Sequence, residues 1–251
     1  MLSKSTIKYI QSLADKKGRT KANCFIAEGP KIVEGLIELN DNYIQHIYAL
    51  PEWIKQHKII LEKKQIKVDA ITEIELEKVS QLNTPNQVLA LVKQFKPFDI
   101  SIINNGLYLM LDGIQDPGNM GTIIRTADWF GMEGIICSED CVDMYNSKVV
   151  QSSMASIATI KVWYGNLIDI LKNNSALNVY GAVLNGEDIR VVKLTENAII
   201  VIGNESKGIR ENLLSYIDQP ITIPKFGKAE SLNAAVATGI LFSYFKNNGS
   251  I

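Results

Sequence analysis

The chain has 251 residues, of which 46% are hydrophobic and 21% are charged. This composition excludes an intrinsically disordered protein and is sufficient for one large or two modest globular domains. The net charge of −1 is unevenly distributed, because residues 1–96 carry 15 basic and 11 acidic side chains and residues 97–251 carry 11 and 16. The basic first part favours a polyanionic partner for that region.

The cysteines and histidines do not form the pattern of a metal site. Cys137 and Cys141 are four residues apart, but His46 and His57 are far from them in sequence. We therefore expect no metal, and we interpret the cysteines as reduced thiols of a cytoplasmic protein. The first residues lack the apolar core of a secretory signal, and no apolar run approaches 18 residues, so we expect no membrane association.

Strand-like and helical segments alternate through residues 1–96 and predict a small α/β domain. An opening amphipathic helix over residues 5–17 is indicated by Ile7, Ile10, Leu13 and Ala14, which share one face. The segments that follow are predicted as strands at 25–27, 43–50, 66–70 and 87–92 and as helices at 32–39, 53–64 and 72–79. A linker at 97–104, which contains Pro97, should separate this domain from a second domain at 105–251.

Four cations lie within the six residues from Lys16 to Lys21. The simpler interpretation of such a short charged run is a solvated loop. The alternative is a loop that contacts the phosphates of a nucleic acid through Lys17, Arg19 and Lys21.

The second domain is predicted to alternate in the same way. Its strands are apolar throughout, as is typical of a parallel sheet covered on both faces. The predicted strands are 107–111, 134–137, 179–184, 198–202 and 220–223, and the predicted helices are 121–130, 146–157, 166–173, 208–217 and 231–246.

Three loops of this domain carry polar side chains directly after strands. The first contains Asn119 and leads into a helix with Arg125 about one turn from its start, the second contains Glu205, and the third contains Ser231 and Asn233. In an open α/β sheet, ligands bind outside the carboxyl ends of the strands. We therefore expect the three loops to form one polar site.

Simpler roles exist for each of these side chains. Ser231 and Asn233 could cap a helix, and Glu205 could be a solvated turn residue or a carboxylate at a helix N-terminus. The loops match neither the common phosphate-binding pattern nor the dinucleotide-binding pattern. A serine hydrolase is also disfavoured, because Ser231 is not in a GxSxG sequence and neither histidine lies in this domain.

The three loops together resemble the motifs of the SpoU branch of the SPOUT RNA methyltransferases. The segments that carry the resemblance, in the family's order, are DPGNMGTIIRTADWFG, IGNESKGI and IPKFGKAESLNAAVATG. Residues 17–38 also resemble the small substrate-binding domain that precedes many of these enzymes. One departure is Ser206, where the second motif more often has glycine, and it could constrain that turn.

The resemblance implies a ribose 2′-O-methyltransferase that uses S-adenosylmethionine. It implies an N-terminal α/β RNA-binding domain, a C-terminal domain with a trefoil knot, and a homodimer. It assigns the cofactor to backbone around Gly203, Ile223 and Leu232. It assigns catalysis to matching positions, which are Asn119, Arg125, Glu205, Ser231 and Asn233, and we expect Arg125 also to contact the RNA.

Arginine is very hard to deprotonate, so we favour positioning and charge stabilisation for Arg125 rather than a role as base. The two-domain organisation favours ribosomal RNA as the substrate, with transfer RNA as the alternative. Two other classes remain as alternatives: a catalytically silent RNA-binding protein and a nucleotide-dependent oxidoreductase. The intact Arg125, Asn119 and Asn233 disfavour the first, and the missing dinucleotide fingerprint disfavours the second.

Overall fold

The computed structural model describes residues 1–39, 43–96, 103, 105–173 and 176–248. The chain forms two compact units, residues 1–96 with 143–158 and residues 97–142 with 159–251. The limit after residue 96 coincides with the predicted domain boundary, but residues 143–158, which we expected in the second domain, group with the first unit. Residues 97–102 and 104 of the predicted linker lie outside the described residues.

The first unit contains a four-stranded mixed sheet in the order β1-β4-β2-β3. Strands β1 and β2 are antiparallel to β4, and β3 is parallel to β2. The elements are α1 (Lys4–Ser12), α2 (Lys16–Ala22), β1 (Cys24–Glu28), α3 (Pro30–Glu38), β2 (Ile44–Ala49), α4 (Pro51–Lys63), β3 (Val68–Ala70), α5 (Glu73–Val79) and β4 (Val88–Lys93), with α7 (Ser147–Ser153) and a 3₁₀ turn (Met154–Ala158) from later in the chain.

The charged run is a helix, so the predictions of one helix over 5–17 and of a loop after it are wrong. Helix α2 begins after Asp15, whose carboxylate accepts a hydrogen bond from Gly18 N at 2.6 Å. It ends at Asn23, which has a left-handed backbone with φ of 48°. An N-cap and a left-handed C-cap satisfy backbone groups at both ends of a short helix.

Aromatic packing explains why residues 143–158 belong to the first unit. The ring of Tyr145 lies against Phe25 of β1, with 4.8 Å between the ring centroids. The Tyr145 hydroxyl also accepts a hydrogen bond from Phe95 N at 2.9 Å. On α3, a Cβ added at Gly35 would lie 2.5 Å from the Cβ of Ala155, so this segment requires glycine for its close approach.

The second unit contains a six-stranded parallel sheet in the order β10-β8-β9-β5-β6-β7. The central strands β5 and β9 are buried at every position, as the apolar sequence predicted. The elements are β5 (Leu107–Asp112), α6 (Pro117–Trp129), β6 (Gly134–Ser138), β7 (Val162–Gly165), α8 (Leu167–Asn173), β8 (Asn178–Asp188), β9 (Ala198–Gly203), α9 (Glu211–Leu214), β10 (Gln219–Thr222) and α10 (Ala234–Asn248).

Several boundaries in this unit differ from the prediction. Strand β7 was not predicted, β8 is longer than expected, and the predicted helix 208–217 is reduced to the four residues of α9. Helix α6 begins at Pro117, so Arg125 is about two turns from its start rather than one. In the part of the chain that the structure describes, no helix is both long and apolar enough to cross a bilayer.

Candidate active site

Two hydrogen bonds between side chains join the three polar loops of the second unit. Asn233 Nδ2 donates to Asn119 Oδ1 at 2.8 Å. Asn119 Nδ2 then donates to Glu205 Oε1 at 2.7 Å. The three residues are separated by up to 114 positions in the chain, so this contact is a product of the fold and brings together three of the five predicted catalytic side chains.

Asn119 and Asn233 each lie at the N-terminal end of a helix, which fixes their positions. Asp116 caps α6, because its carboxylate accepts from Asn119 N at 2.7 Å, and Asn119 therefore lies in the first turn of the helix. Asn233 caps α10, because its Oδ1 accepts from Ala235 N at 2.9 Å and from Val236 N at 3.3 Å. The capping role that we considered for Asn233 is thus present together with its contact to Asn119.

Glu205 lies in a tight turn whose ends are paired through backbone. Asn204 N donates to Gly208 O at 3.0 Å, Gly208 N donates to Asn204 O at 2.8 Å, and Gly208 has a φ of 69°. The Asn204 side chain accepts from Ser206 N and Lys207 N and donates to Gly113 O at 2.8 Å. Ser206 is not among the residues with positive φ, so this position has no conformational requirement for glycine.

A buried carboxylate anchors the segment that follows this turn. Asp112, at the end of β5, is 1% exposed and accepts hydrogen bonds from Arg210 N at 2.8 Å and from the Arg210 guanidinium. That guanidinium also lies 3.1 Å from Asp140 Oδ1. The Ser138 hydroxyl, followed by Arg210, lowers the pKa of Asp140, and the hydrogen bond to Asp112 raises the pKa of Arg210.

Sequence reasoning missed this anchor. The predicted strand ends at residue 111, so Asp112 falls in the loop after it, and its partner Arg210 falls in the predicted helix 208–217. The backbone N–H of Arg210 donates to Asp112, and α9 begins only at Glu211. A buried carboxylate needs a cation or donors, and that requirement was the available signal.

The structure does not join Arg125 and Ser231 to the hydrogen-bonded group. Arg125 is exposed on α6, and Ser231 is exposed just before α10. Neither side chain makes a hydrogen bond or ion pair with the residues that the structure describes. An unpaired guanidinium two turns along the helix from Asn119 is available to a ligand, and the catalytic roles of both residues remain predictions.

The residues assigned to the cofactor lie at the carboxyl ends of the strands. Gly203 ends β9 and is buried, and a Cβ there would lie 2.1 Å from the backbone carbon of Gly208. Ile223 follows β10 and is partly exposed, and Leu232 is 47% exposed. Accessible apolar side chains beside the backbone of a strand end suit the adenine ring and methionine part of S-adenosylmethionine. The residues therefore fit this group.

The predicted phosphate contacts of the first unit divide into two kinds. Lys17 and Lys21 are exposed and lie one turn apart on α2. Arg19 is only 3% exposed, and its guanidinium binds Asp143 Oδ2 at 2.7 Å and donates to the carbonyls of Leu13 and Ala14. The expectation that Arg19 contacts phosphates does not fit this burial, and we withdraw it.

Comparisons with known proteins place these features in one family. Residues 106–243 match the family model described as SpoU rRNA Methylase family, and residues 4–90 match the MRM3-like substrate binding domain. The chain is 31% identical to the 23S rRNA (guanosine(2553)-2′-O)-methyltransferase RlmP of Bacillus subtilis, over 96% of this chain and 95% of that protein.

Two further comparisons extend over both units. The 23S rRNA (uridine(2479)-2′-O)-methyltransferase of Streptomyces viridochromogenes is 27% identical over 92% of this chain and 85% of its own. The AdoMet-bound structure of an rRNA methyltransferase from Sinorhizobium meliloti has a TM-score of 0.85 and 27% identity, and it covers 98% of this chain and 97% of its own. The sequence resemblance to this family is thereby confirmed.

Proposed function

Because the chain belongs to the SpoU rRNA methylase family, we propose that it transfers a methyl group from S-adenosylmethionine to a ribose 2′-hydroxyl of ribosomal RNA. The observation that carries this proposal is the hydrogen-bonded group Asn233–Asn119–Glu205. It joins the three motif loops at the carboxyl edge of the parallel sheet, where α/β enzymes bind their ligands. The bound cofactor supplies a methyl group that is already activated on a sulfonium.

The residues of the chain then have to position the ribose and exclude water. Arg125 is exposed and free to bind the phosphate of the reacting nucleotide and to stabilise charge at its 2′-oxygen. Asn119 is held at both ends of its amide, so it presents a fixed orientation beside the ribose. Ser231, which has an uncommitted hydroxyl, would contact the ribose, and Glu205 and Asn233 would keep the loops in register.

Gly203, Ile223 and Leu232 would hold the cofactor. The short separation between Gly203 and the backbone of Gly208 keeps the β9 loop closely packed. A side chain at position 203 would force the Glu205 turn away from β9. Cofactor binding and the hydrogen-bonded group therefore depend on the same loop.

The first unit would select the RNA. The match to a substrate-binding domain covers most of it, and Lys17 and Lys21 present two cations on one face of α2. Such contacts position an RNA through its phosphates without reading its sequence. Two relatives that match both units over most of their length are named as 23S rRNA enzymes, which favours ribosomal RNA over transfer RNA.

We propose a homodimer, a trefoil knot in the second unit and a cytoplasmic location on the same basis. Helices α6 and α10 pack closely, since a Cβ at Gly239 would lie 3.8 Å from Thr126. They leave Trp129 85% exposed and Val236 52% exposed, and a second copy could cover these side chains. The contact from Asn233, after the last strand, to Asn119 brings the C-terminal segment beside the first motif, as such a knot requires. The three free buried cysteines suit a reducing compartment.

Methylation of ribosomal RNA that lacks its natural modifications tests the proposal. We expect transfer of labelled methyl groups from S-adenosylmethionine to 23S rRNA, at a nucleotide that becomes resistant to alkaline cleavage. The matched control is transfer RNA prepared in the same way, which should remain unlabelled. Binding of RNA without any label transfer would identify a catalytically silent protein instead.

Thermal shift measurements test the cofactor separately. S-adenosylmethionine should raise the melting temperature and NAD should not, because a ligand stabilises only the protein that binds it. Leu232→Arg should abolish the shift, and Leu214→Ala, a change at another partly exposed leucine of the same unit, should retain it. A shift with NAD alone would overturn the assignment.

A further inference from the structure

An exposed aromatic ring lies in the loop between β10 and α10. Phe226 is 88% exposed, although burial of a phenyl ring is strongly favourable. It follows Ile223 and precedes Ser231 on the loop that carries the third motif. An exposed ring beside a proposed ligand site is a candidate contact for the ligand.

One face of this ring is backed by a fixed cation. The guanidinium carbon of Arg190 lies over the Phe226 ring, 5.7 Å from its centroid. Arg190 donates from Nε to both carboxylate oxygens of Asp188, at 3.0 and 2.9 Å, and it is paired through Nη2 as well. Asp188 ends β8 and is paired in register with Thr222 of β10, so the sheet holds the arginine in place.

The charges around the ring match a nucleic acid. Lys225 and Lys228 flank Phe226 in the sequence and are both exposed, and they outnumber the one exposed carboxylate of this loop, Glu230. Asp188 is already paired with Arg190. Aromatic rings and arginine planes are the surfaces on which proteins stack unpaired RNA bases. The exposed fraction of the ring leaves one face open for this contact.

We infer that Phe226, backed by Arg190, is a stacking platform for an unpaired base of the substrate RNA, an inference that rests on the proposed methyltransferase function. Ser231 is five positions after Phe226, so their Cα atoms are at most about 18 Å apart. The stacked base therefore belongs to the target nucleotide or to a close neighbour. Stacking on phenylalanine tolerates every base, so the platform contributes affinity and orientation rather than sequence readout.

The test uses the full-length protein and a single-stranded oligoribonucleotide that contains 2-aminopurine, whose fluorescence is quenched by stacking. Phe226→Ala should weaken binding about tenfold or more and abolish most of the quenching. Phe226→Trp should retain both, and Phe226→Leu should resemble the alanine variant, because leucine is apolar but cannot stack. Arg190→Ala should weaken binding about two- to fivefold, as for loss of an exposed cation–π contact.

Leu214→Ala is the matched control, since Leu214 is an exposed apolar residue of the same unit, and it should bind as wild type. Affinity for S-adenosylmethionine and the sedimentation coefficient should not change in Phe226→Ala. A loss of cofactor affinity would place the ring over the cofactor, and a change in sedimentation coefficient would place it between two copies of the chain. Either result overturns the inference. Unchanged RNA binding by Phe226→Ala overturns it as well. Failure of the proposed function is distinguishable, because it would appear as absent methyl transfer by the wild type.

Discussion

Two arginines predicted from sequence to contact RNA have opposite environments in the structure. Arg19, in the first unit, is 3% exposed and bonded to Asp143 and to two backbone carbonyls. Arg125, in the second unit, is exposed, and its guanidinium makes no hydrogen bond within the described ranges. Each lies within four residues after a glycine and directly before a threonine, and neither local sequence shows whether the arginine is buried.

The difference shows that the available partners, not the residue type, decide whether an arginine is buried in the fold or left accessible to a ligand. Arg19 meets a carboxylate 124 positions away in sequence, a contact that no local pattern could predict. A buried arginine whose partners are removed leaves an unpaired charge, whereas an exposed one can be removed at little cost to folding. Substitutions at the two positions should therefore affect different measurements.

The largest effect is expected from Arg19→Ala. It leaves Asp143 and the carbonyls of Leu13 and Ala14 without their donor, so the free energy of unfolding should fall by about 3–5 kcal/mol, the usual cost of breaking a buried ion pair. Chemical denaturation of the full-length protein measures this value. Methyl transfer per folded molecule should stay near that of wild type.

Lys16→Ala is the control for Arg19, because it removes an exposed cation from the same helix and should leave stability within about 0.5 kcal/mol of wild type. A double change, Arg19→Met with Asp143→Leu, should recover part of the lost stability since it removes both charges. If Arg19→Ala folds with full stability but loses RNA binding, our assignment of Arg19 to folding is wrong.

Arg125→Ala should have the next largest effect and the opposite pattern. We expect single-turnover methyl transfer to fall by on the order of 10²-fold or more, because a contact made in the transition state is lost. Stability and affinity for S-adenosylmethionine should be nearly unchanged. Thr122→Ala, one turn earlier and also exposed on α6, is the matched control, and near-normal turnover of Arg125→Ala would remove this residue from the mechanism.

The exposed lysines of α2 should give a smaller effect, limited to RNA binding. In Lys17→Ala with Lys21→Ala, the slope of log affinity against log salt should flatten by about 0.7–0.9 for each lost phosphate contact. RNA titrations at three salt concentrations measure this slope. Slopes equal to wild type would mean that this face of α2 is only solvated.

The smallest effect concerns a buried carboxylate that, unlike Asp143, has no cation in the described contacts. Glu28 is 3% exposed, it accepts from Gln81 N at 2.8 Å and from the Ser80 hydroxyl, and burial raises its pKa. The stability contributed by its protonated form is present below the unfolded pKa and is lost as pH rises through the folded pKa. Glu28→Gln should weaken that pH dependence of the free energy of unfolding. Denaturation curves between pH 4 and pH 8 measure it. This range begins just below the ordinary carboxyl pKa of about 4.3. An unchanged pH dependence would contradict the prediction.

Local patterns predicted most strands, and they failed where contacts between distant residues determine the structure. The strands β5 and β9 are buried at every position and apolar except for Asp112 at the end of β5, so their sequences alone indicated a parallel sheet. The charged sequence of α2 concealed a helix that is held by Arg19, and β7 is a short, partly exposed strand at the edge of the sheet. We expected Asn119, Glu205 and Asn233 to lie close together because their loops follow strand ends. The hydrogen bonds among them depend on the tertiary structure and could not be predicted from local sequence.

Because residues 143–158 belong to the first unit, the protein cannot be divided into its two units at a single position in the sequence. The chain passes between the two units three times, after residues 96, 142 and 158. A fragment ending at residue 96 would lack the Tyr145 ring that packs on Phe25. The remaining fragment would contain residues 143–158 without the first-unit residues on which they pack. The first unit therefore cannot be exchanged by replacing one continuous segment. A chimaera with a different substrate-binding unit has to replace residues 143–158 together with residues 1–96.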